Sequence, residues 1–218
     1  MLRRSCRYSH ASRARLGEAP TVLRILDLGC GRGWLTYIAD AYGHCVGIDP
    51  VAPVIEFARE RYPSLTFEVG STSELLAKGH AGAYDLVIAS EVIEHVAPAQ
   101  CERFVTEVAQ LLTPAGSAIV TSDRGELHSR WLRREHTTEQ PEENWFTESQ
   151  LRALFEGAGF VVAERDRAYF EVPELSLFHR VVASTRFARL LRALHQEWLL
   201  HGLQYQAANC QVWLFRRA

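Results

Sequence analysis

An apolar strand that runs straight into a glycine-rich turn and then a helix leaves a chain few folds to adopt. Residues 25–35 read Ile-Leu-Asp-Leu-Gly-Cys-Gly-Arg-Gly-Trp-Leu, which is the opening of a βαβ unit. Glycines at that turn let a ligand approach the backbone at the carboxyl end of the strand, where open α/β sheets bind. Apolar runs alternating with helical patterns continue from Val22 to about residue 170, which predicts a doubly wound α/β fold on a mostly parallel sheet. The pattern places strands at 24–28, 45–48, 66–69, 84–90, 117–121 and 160–165, and a last one at 211–215. Helices are expected at 33–42, 53–62, 98–112 and 147–157, with a Pro-Ala-Gly turn at 114–116. No repeat or low-complexity linker interrupts the series. One domain over 1–218 is therefore expected: an arm (1–21), a core (22–172), a helical insertion (173–207) and the last strand (208–218).

Composition narrows the class further. With 218 residues, 47% hydrophobic and 23% charged, the chain can bury a core and is neither disordered nor a small cross-linked scaffold. A net charge of -2, from 24 basic and 26 acidic side chains, gives no general attraction for nucleic acid or an anionic membrane. Nucleic acid is thus not expected as a partner. Cys6, Cys30, Cys45, Cys101 and Cys210 are scattered and contain no C-x-x-C pair, so neither a disulfide frame nor a zinc site is written here. A cytoplasmic location is expected, with no apolar run long enough to span a bilayer. The first fifteen residues are rich in Arg and Ser and free of acid. They resemble an organellar transit peptide and fit equally an arm that orders over a ligand.

The ligand can be read from the spacing. Asp49 falls twenty residues after Gly29, at the end of the second strand, where its carboxylate can accept both hydrogen bonds of a ribose diol. A dinucleotide site would read G-x-G-x-x-G; here Gly29, Gly31 and Gly33 read G-x-G-x-G, and Trp34 fills the dinucleotide's third glycine position. Asp27 would sit poorly beside a diphosphate and suits a ligand carrying an ammonium and a sulfonium. A tight turn with no ligand would not require three glycines, each costly in entropy.

Asp27-Leu-Gly-Cys-Gly-Arg-Gly33, Gly47-Ile-Asp49, Tyr84-Asp85, Ser90-Glu-Val-Ile-Glu-His-Val96, Leu112-Thr-Pro-Ala-Gly116 and Ala158-Gly-Phe160 resemble, in order and spacing, the motifs of the class I S-adenosylmethionine-dependent methyltransferases. The segment Glu91–Val96 is similar to the branch that holds ubiquinone-biosynthesis O-methyltransferases and many small-molecule methyltransferases. The resemblance implies a Rossmann-like, seven-stranded sheet whose last strand is antiparallel. It also implies S-adenosyl-L-methionine as cofactor and S-adenosyl-L-homocysteine as product. Gly29, Gly31 and Gly33 would pass under the methionine part, Asp27 would help hold its amino group, and Asp49 would take the ribose hydroxyls. Cys30, inside the first of these motifs, and Pro50, directly after Asp49, are counted with them. Where relatives place an acidic residue after the glycine that follows strand three, this chain has Ser71, so the adenine contact falls to Ser71, Thr72 or backbone. Ser90 and Glu91 would border the methyl donor.

Methyl transfer from a sulfonium is an in-line displacement that mainly needs alignment, but a weakly acidic acceptor must lose a proton. His95 is the candidate base, with bracing of its loop as the structural alternative. Glu91, Glu94 and His95 form E-x-x-E-H, which resembles part of the metal site of small-RNA 2′-O-methyltransferases and some quinone O-methyltransferases. A further ligand would have to come from His128 or His136, and no metal is assigned.

Acceptor choice is expected in the arm, in 123–146 (Trp131, Arg133, Arg134, Trp145) and in the insertion. There Phe187, Leu190, Leu191, Leu194 and Trp198 make one helical stripe, read as core or as a contact with a second chain. Arg186, Arg189 and Arg192 leave a peripheral membrane contact open. The expected function is methylation of a small molecule at oxygen. The alternatives are RNA or glycan methylation, or a cofactor-binding regulatory subunit without catalysis.

Overall fold

The first strand, β1 (Leu23–Leu28), buries every residue but Arg24, as a strand covered on both faces must. In the computed structural model, which describes residues 22–127, 144–168, 181–182 and 184–218, seven strands form one sheet in the order β3-β2-β1-β4-β5-β7-β6. The chain order is β1, α1 (Trp34–Asp40), β2 (Gly43–Asp49), α2 (Ala52–Arg61), β3 (Thr66–Val69), α3 (Thr72–Ala77) and β4 (Tyr84–Ser90). There follow α4 (Cys101–Leu111), β5 (Leu112–Asp123), α5 (Glu148–Gly157), β6 (Phe160–Ala168), α6 (Thr185–Ala193), α7 (Glu197–Ala207) and β7 (Cys210–Arg217). β1 pairs parallel with β2, and β2 with β3. β7 runs antiparallel to both β5 and β6. The doubly wound, mostly parallel fold with an antiparallel last strand is what the motifs implied.

By compactness the chain divides into two units, one reaching to Ile88 with Gln110–Gly116, the other Ala89–Ala109 with Ser117 onward. In the first, Ile55 and Ala58 of α2 close on Cys30 and Phe67, with Tyr62 and Leu65 packed at the edge. In the second, Phe215 of β7 stacks between Phe155 and Trp213, with ring centroids 4.3 and 5.5 Å away. α5 opens on a capping box in which Thr147 accepts from the Gln150 amide while Gln150 accepts from the Thr147 amide.

Several boundaries differ from expectation, for physical reasons. α3 was not foreseen, although Ser71-Thr-Ser-Glu74 is itself a capping box. The expected turn at 114–116 lies within the span of β5, yet a Cβ on Gly116 would stand 2.9 Å from a Leu112 methyl. Residues four apart in an extended strand lie roughly 13 Å apart, so the chain does bend here. From Ser184 on, the described part of the insertion holds two helices broken at Leu194–Gln196, where His195 has φ 54° and the Gln196 amide returns to the Leu191 carbonyl. The break puts the expected stripe out of phase. Leu191 is buried, but Leu190, Leu194 and Trp198 are 55–70% exposed, so the core reading fails for those three. Residues 1–21, His128, Trp131, Arg133, Arg134 and His136 lie outside the described residues.

Candidate functional site

In the first unit the three glycines of the β1–α1 loop all take positive φ: 63° at Gly29, 52° at Gly31 and 82° at Gly33. L-residues avoid that region. Gly33 is required twice over, because a Cβ there would lie 2.6 Å from the Phe67 ring and 3.2 Å from Ala58. At Gly31 nothing lies within 4 Å of the same added atom. One glycine is closed against the core; the other faces open space, as the backbone of a ligand cradle should.

Asp49, at the tip of β2, fastens this loop. One carboxylate oxygen accepts from the Gly31 amide at 3.1 Å, the other from the Val51 amide at 2.9 Å. Each oxygen keeps a lone pair for a further donor. Pro50, the next residue, is exposed. Cys30 is buried, its amide donating to the Ile48 carbonyl at 2.9 Å, and burial together with the nearby Asp27 and Asp49 pushes its thiol up to about 12. It is a packing residue here and a poor nucleophile.

Asp27 is 1% exposed. Its carboxylate accepts from the Thr36 hydroxyl at 2.6 Å. Burial pushes its pKa from 3.8 to about 7, opposed by the bonds from the Thr36 side chain and amide and reinforced by the charge of Asp49. Asp27 and Asp49 are both buried and each carries a carboxyl that acts on the other, a setting that favours a cationic group of a ligand. Thr36 escaped the sequence reading. Its signal was a hydroxyl on the buried face of a helix one turn past the glycines.

At the end of β3 the Ser71 hydroxyl donates to Glu74 at 2.9 Å within the capping box, and Thr72 is buried. The acidic group at this place is therefore Glu74. Its carboxylate lies 3.5 Å from where a Cβ on Gly70 would be, having arrived by helix geometry rather than by adjacency in sequence.

The second unit carries a separate polar cluster after β4. Glu91 has φ 54°, a backbone state that a non-glycine residue holds only at a cost. Its amide donates to the Thr121 carbonyl at 3.1 Å. One carboxylate oxygen accepts from the Thr121 hydroxyl at 2.6 Å and from the Cys210 thiol at 3.4 Å. Ser90 and Thr121 share a hydroxyl–hydroxyl bond of 2.9 Å. Glu94 is 4% exposed, with one carboxylate oxygen lacking a hydrogen-bond partner. Burial and the neighbouring Glu91 push its pKa far above the usual carboxylate range, so it holds its proton at neutrality. His95 ends the short 3₁₀ turn Ile93–His95 and is exposed. Among the described residues no three His, Cys, Asp or Glu side chains are grouped to hold a metal ion.

A family model described as a methyltransferase domain matches residues 2–165. The chain is 37% identical over 114 residues to the mitochondrial ubiquinone biosynthesis O-methyltransferase of Rattus norvegicus, covering 49% of this chain and 32% of that protein. It is 31% identical over 160 residues to the ubiquinone biosynthesis O-methyltransferase of Azorhizobium caulinodans, covering 65% of this chain and 60% of that one. These alignments span between a third and three fifths of their relatives' lengths. The fold is also similar to that of magnesium protoporphyrin IX methyltransferase from Synechocystis PCC 6803, solved with bound SAM. That match has TM-score 0.56 at 17% identity, over 99% of this chain and 79% of that one.

Proposed function

The chain belongs to the class I S-adenosylmethionine-dependent methyltransferase family, and from that premise we propose that it transfers a methyl group to a small-molecule acceptor, at oxygen. The observation that carries the reading is the β1–α1 loop, whose three left-handed glycines lie in sequence between the buried partners Asp27 and Thr36 and are fastened at Gly31 to Asp49. Gly29, Gly31 and Gly33, with Cys30 packed behind them, carry the methionine part of the ligand. Asp27 faces its ammonium, and the remaining lone pairs of Asp49 take the ribose hydroxyls. Pro50 and Val51 flank the base, and its amine is met by Ser71, Thr72 or Glu74. When bound, the cofactor supplies a methyl group already activated on a sulfonium.

What remains for the protein is to orient the acceptor and remove its proton. His95 takes the proton of the acceptor hydroxyl. Ser90 and Glu91, for which the resemblance alone implies a place beside the donor, are fixed by Thr121 and Cys210. Oxygen as the target is supported by the ubiquinone O-methyltransferases among the relatives. The test is incubation of the purified protein with an extract of the host and an isotopically labelled methyl donor. A small molecule that gains the mass of one CH₂ and the label, through an ether, supports the reading; label confined to RNA or glycan, or to no product, contradicts it. Replacing His95 with Ala should lower turnover on that product about a hundredfold with S-adenosylhomocysteine affinity unchanged. Full turnover by the variant removes His95 as the base.

A further inference from the structure

The residue that most constrains Asp27 lies outside the glycine loop. Thr36 sits in the first turn of α1, is completely buried, and gives its hydroxyl to Asp27 at 2.6 Å. Room for that hydroxyl is made from a third element: a Cβ on Gly47 of β2 would stand 2.8 Å from it. Three segments, β1, α1 and β2, are thus shaped around one oxygen-to-oxygen contact. A buried helix position is ordinarily filled by an apolar side chain, and a hydroxyl placed there must be satisfied; here its partner is the carboxyl proposed to meet the ligand's ammonium.

We propose that Thr36 is a positioning residue of the cofactor site, whose hydroxyl aims the Asp27 carboxyl and sets the pH range over which that carboxyl is negative and can hold the cationic group of the ligand. The proposal rests on the reading that the glycine loop carries the cofactor.

The charged and polar groups acting on Asp27 lie on α1, in the glycine loop and on β2. The Thr36 hydroxyl and amide on α1 stabilise the anion, and Asp49 at the tip of β2 disfavours it. The buried thiols of Cys30 in the loop and Cys45 on β2 both respond to the charge of Asp27, and burial holds each protonated, so neither adds charge near neutrality. With burial driving Asp27 to about 7, a hydrogen bond to its anionic form is what keeps the carboxyl able to ionise in the neutral range. Loss of that bond moves the titration upward and leaves a neutral acid facing an ammonium.

The experiment measures S-adenosylhomocysteine affinity calorimetrically from about pH 6 to about pH 9, for the wild type and for T36V, T36S and D27N. Wild-type affinity is expected to rise roughly tenfold through neutrality as Asp27 loses its proton. In T36V, nearly the same size but without the donor, the rise should move to higher pH. Affinity near neutrality should then fall by about tenfold, with the gap narrowing in alkali. T36S, which keeps the hydroxyl, should restore the wild-type profile, and D27N should bind weakly with a flat profile. A merely structural role would lower affinity equally at every pH. A T36V profile parallel to the wild type, or a D27N profile that still rises like the wild type, overturns the proposal while leaving the cofactor reading intact. If T36V does not fold, as judged by circular dichroism, the D27N profile decides. No uptake by the wild type at any pH removes the cofactor reading, and the proposal with it.

Discussion

Asp27 costs the ligand-free fold stability, and the cost has a pH signature. Below about pH 4 the carboxyl is protonated in both folded and unfolded chains. Between there and about 7 the unfolded chain ionises while the fold retains its proton, so stability falls as pH rises, and above that range the full cost remains. Replacing Asp27 with Asn should therefore raise the melting temperature of the ligand-free protein at about pH 8, by an amount corresponding to about 2–4 kcal/mol, with little change near pH 4. A variant that melts below the wild type in alkali would contradict this. Gly31 and Gly33 separate folding from binding. Gly33→Ala meets Phe67 and should cost about 2–4 kcal/mol in urea denaturation. Gly31→Ala meets no protein atom within 4 Å and should cost only about 1 kcal/mol from its backbone, yet lose S-adenosylhomocysteine affinity at least tenfold. Equal losses of stability in the two variants would mean that the open side of Gly31 is no ligand space. These residues differed in how visible they were. The three glycines and Asp49 announce themselves by spacing. Thr36 and Thr121 look ordinary until the fold brings one to Asp27 and the other to Glu91, and Cys210 stands 119 positions from the carboxylate it meets.

At the scale of elements, apolar runs bounded by polar residues were readable to their ends, and short or broken helices were not. β4 has the predicted span of 84–90, because a run of apolar residues bounded by polar ones admits one placement. α3 is six residues long, too short for a hydrophobic period, and only its cap marks it. The break between α6 and α7 rests on a left-handed His195 that no residue preference requires. Leu190, Leu194 and Trp198 are exposed beside Arg186, Arg189 and Arg192, all exposed on α6. Such a basic, apolar surface fits a peripheral contact with anionic lipid. Sedimentation with vesicles of anionic phospholipid should carry the protein down at low salt, and Leu190→Glu with Trp198→Glu should abolish it. No binding by the wild type rejects the contact. Among the described residues no helix is long and apolar enough to cross a membrane.

For the whole molecule, the doubly wound, mostly parallel architecture and the ligand class were legible because they follow from a few local signals repeated in sequence: strand, turn, helix, and a carboxylate at a fixed interval. That β7 runs antiparallel was implied only by the family resemblance, and its place between β5 and β6, a long-range pairing, was not foreseen. What the molecule does therefore depends on whether the β1–α1 loop is a cradle. Titration calorimetry of the ligand-stripped protein with S-adenosylhomocysteine is the most direct measurement of that. Saturable uptake of one ligand per chain is expected, weakened at least tenfold by Asp49→Ala, which removes the loop fastening and, with it, the proposed ribose contact. A folded wild-type chain that takes up no S-adenosylhomocysteine would contradict it.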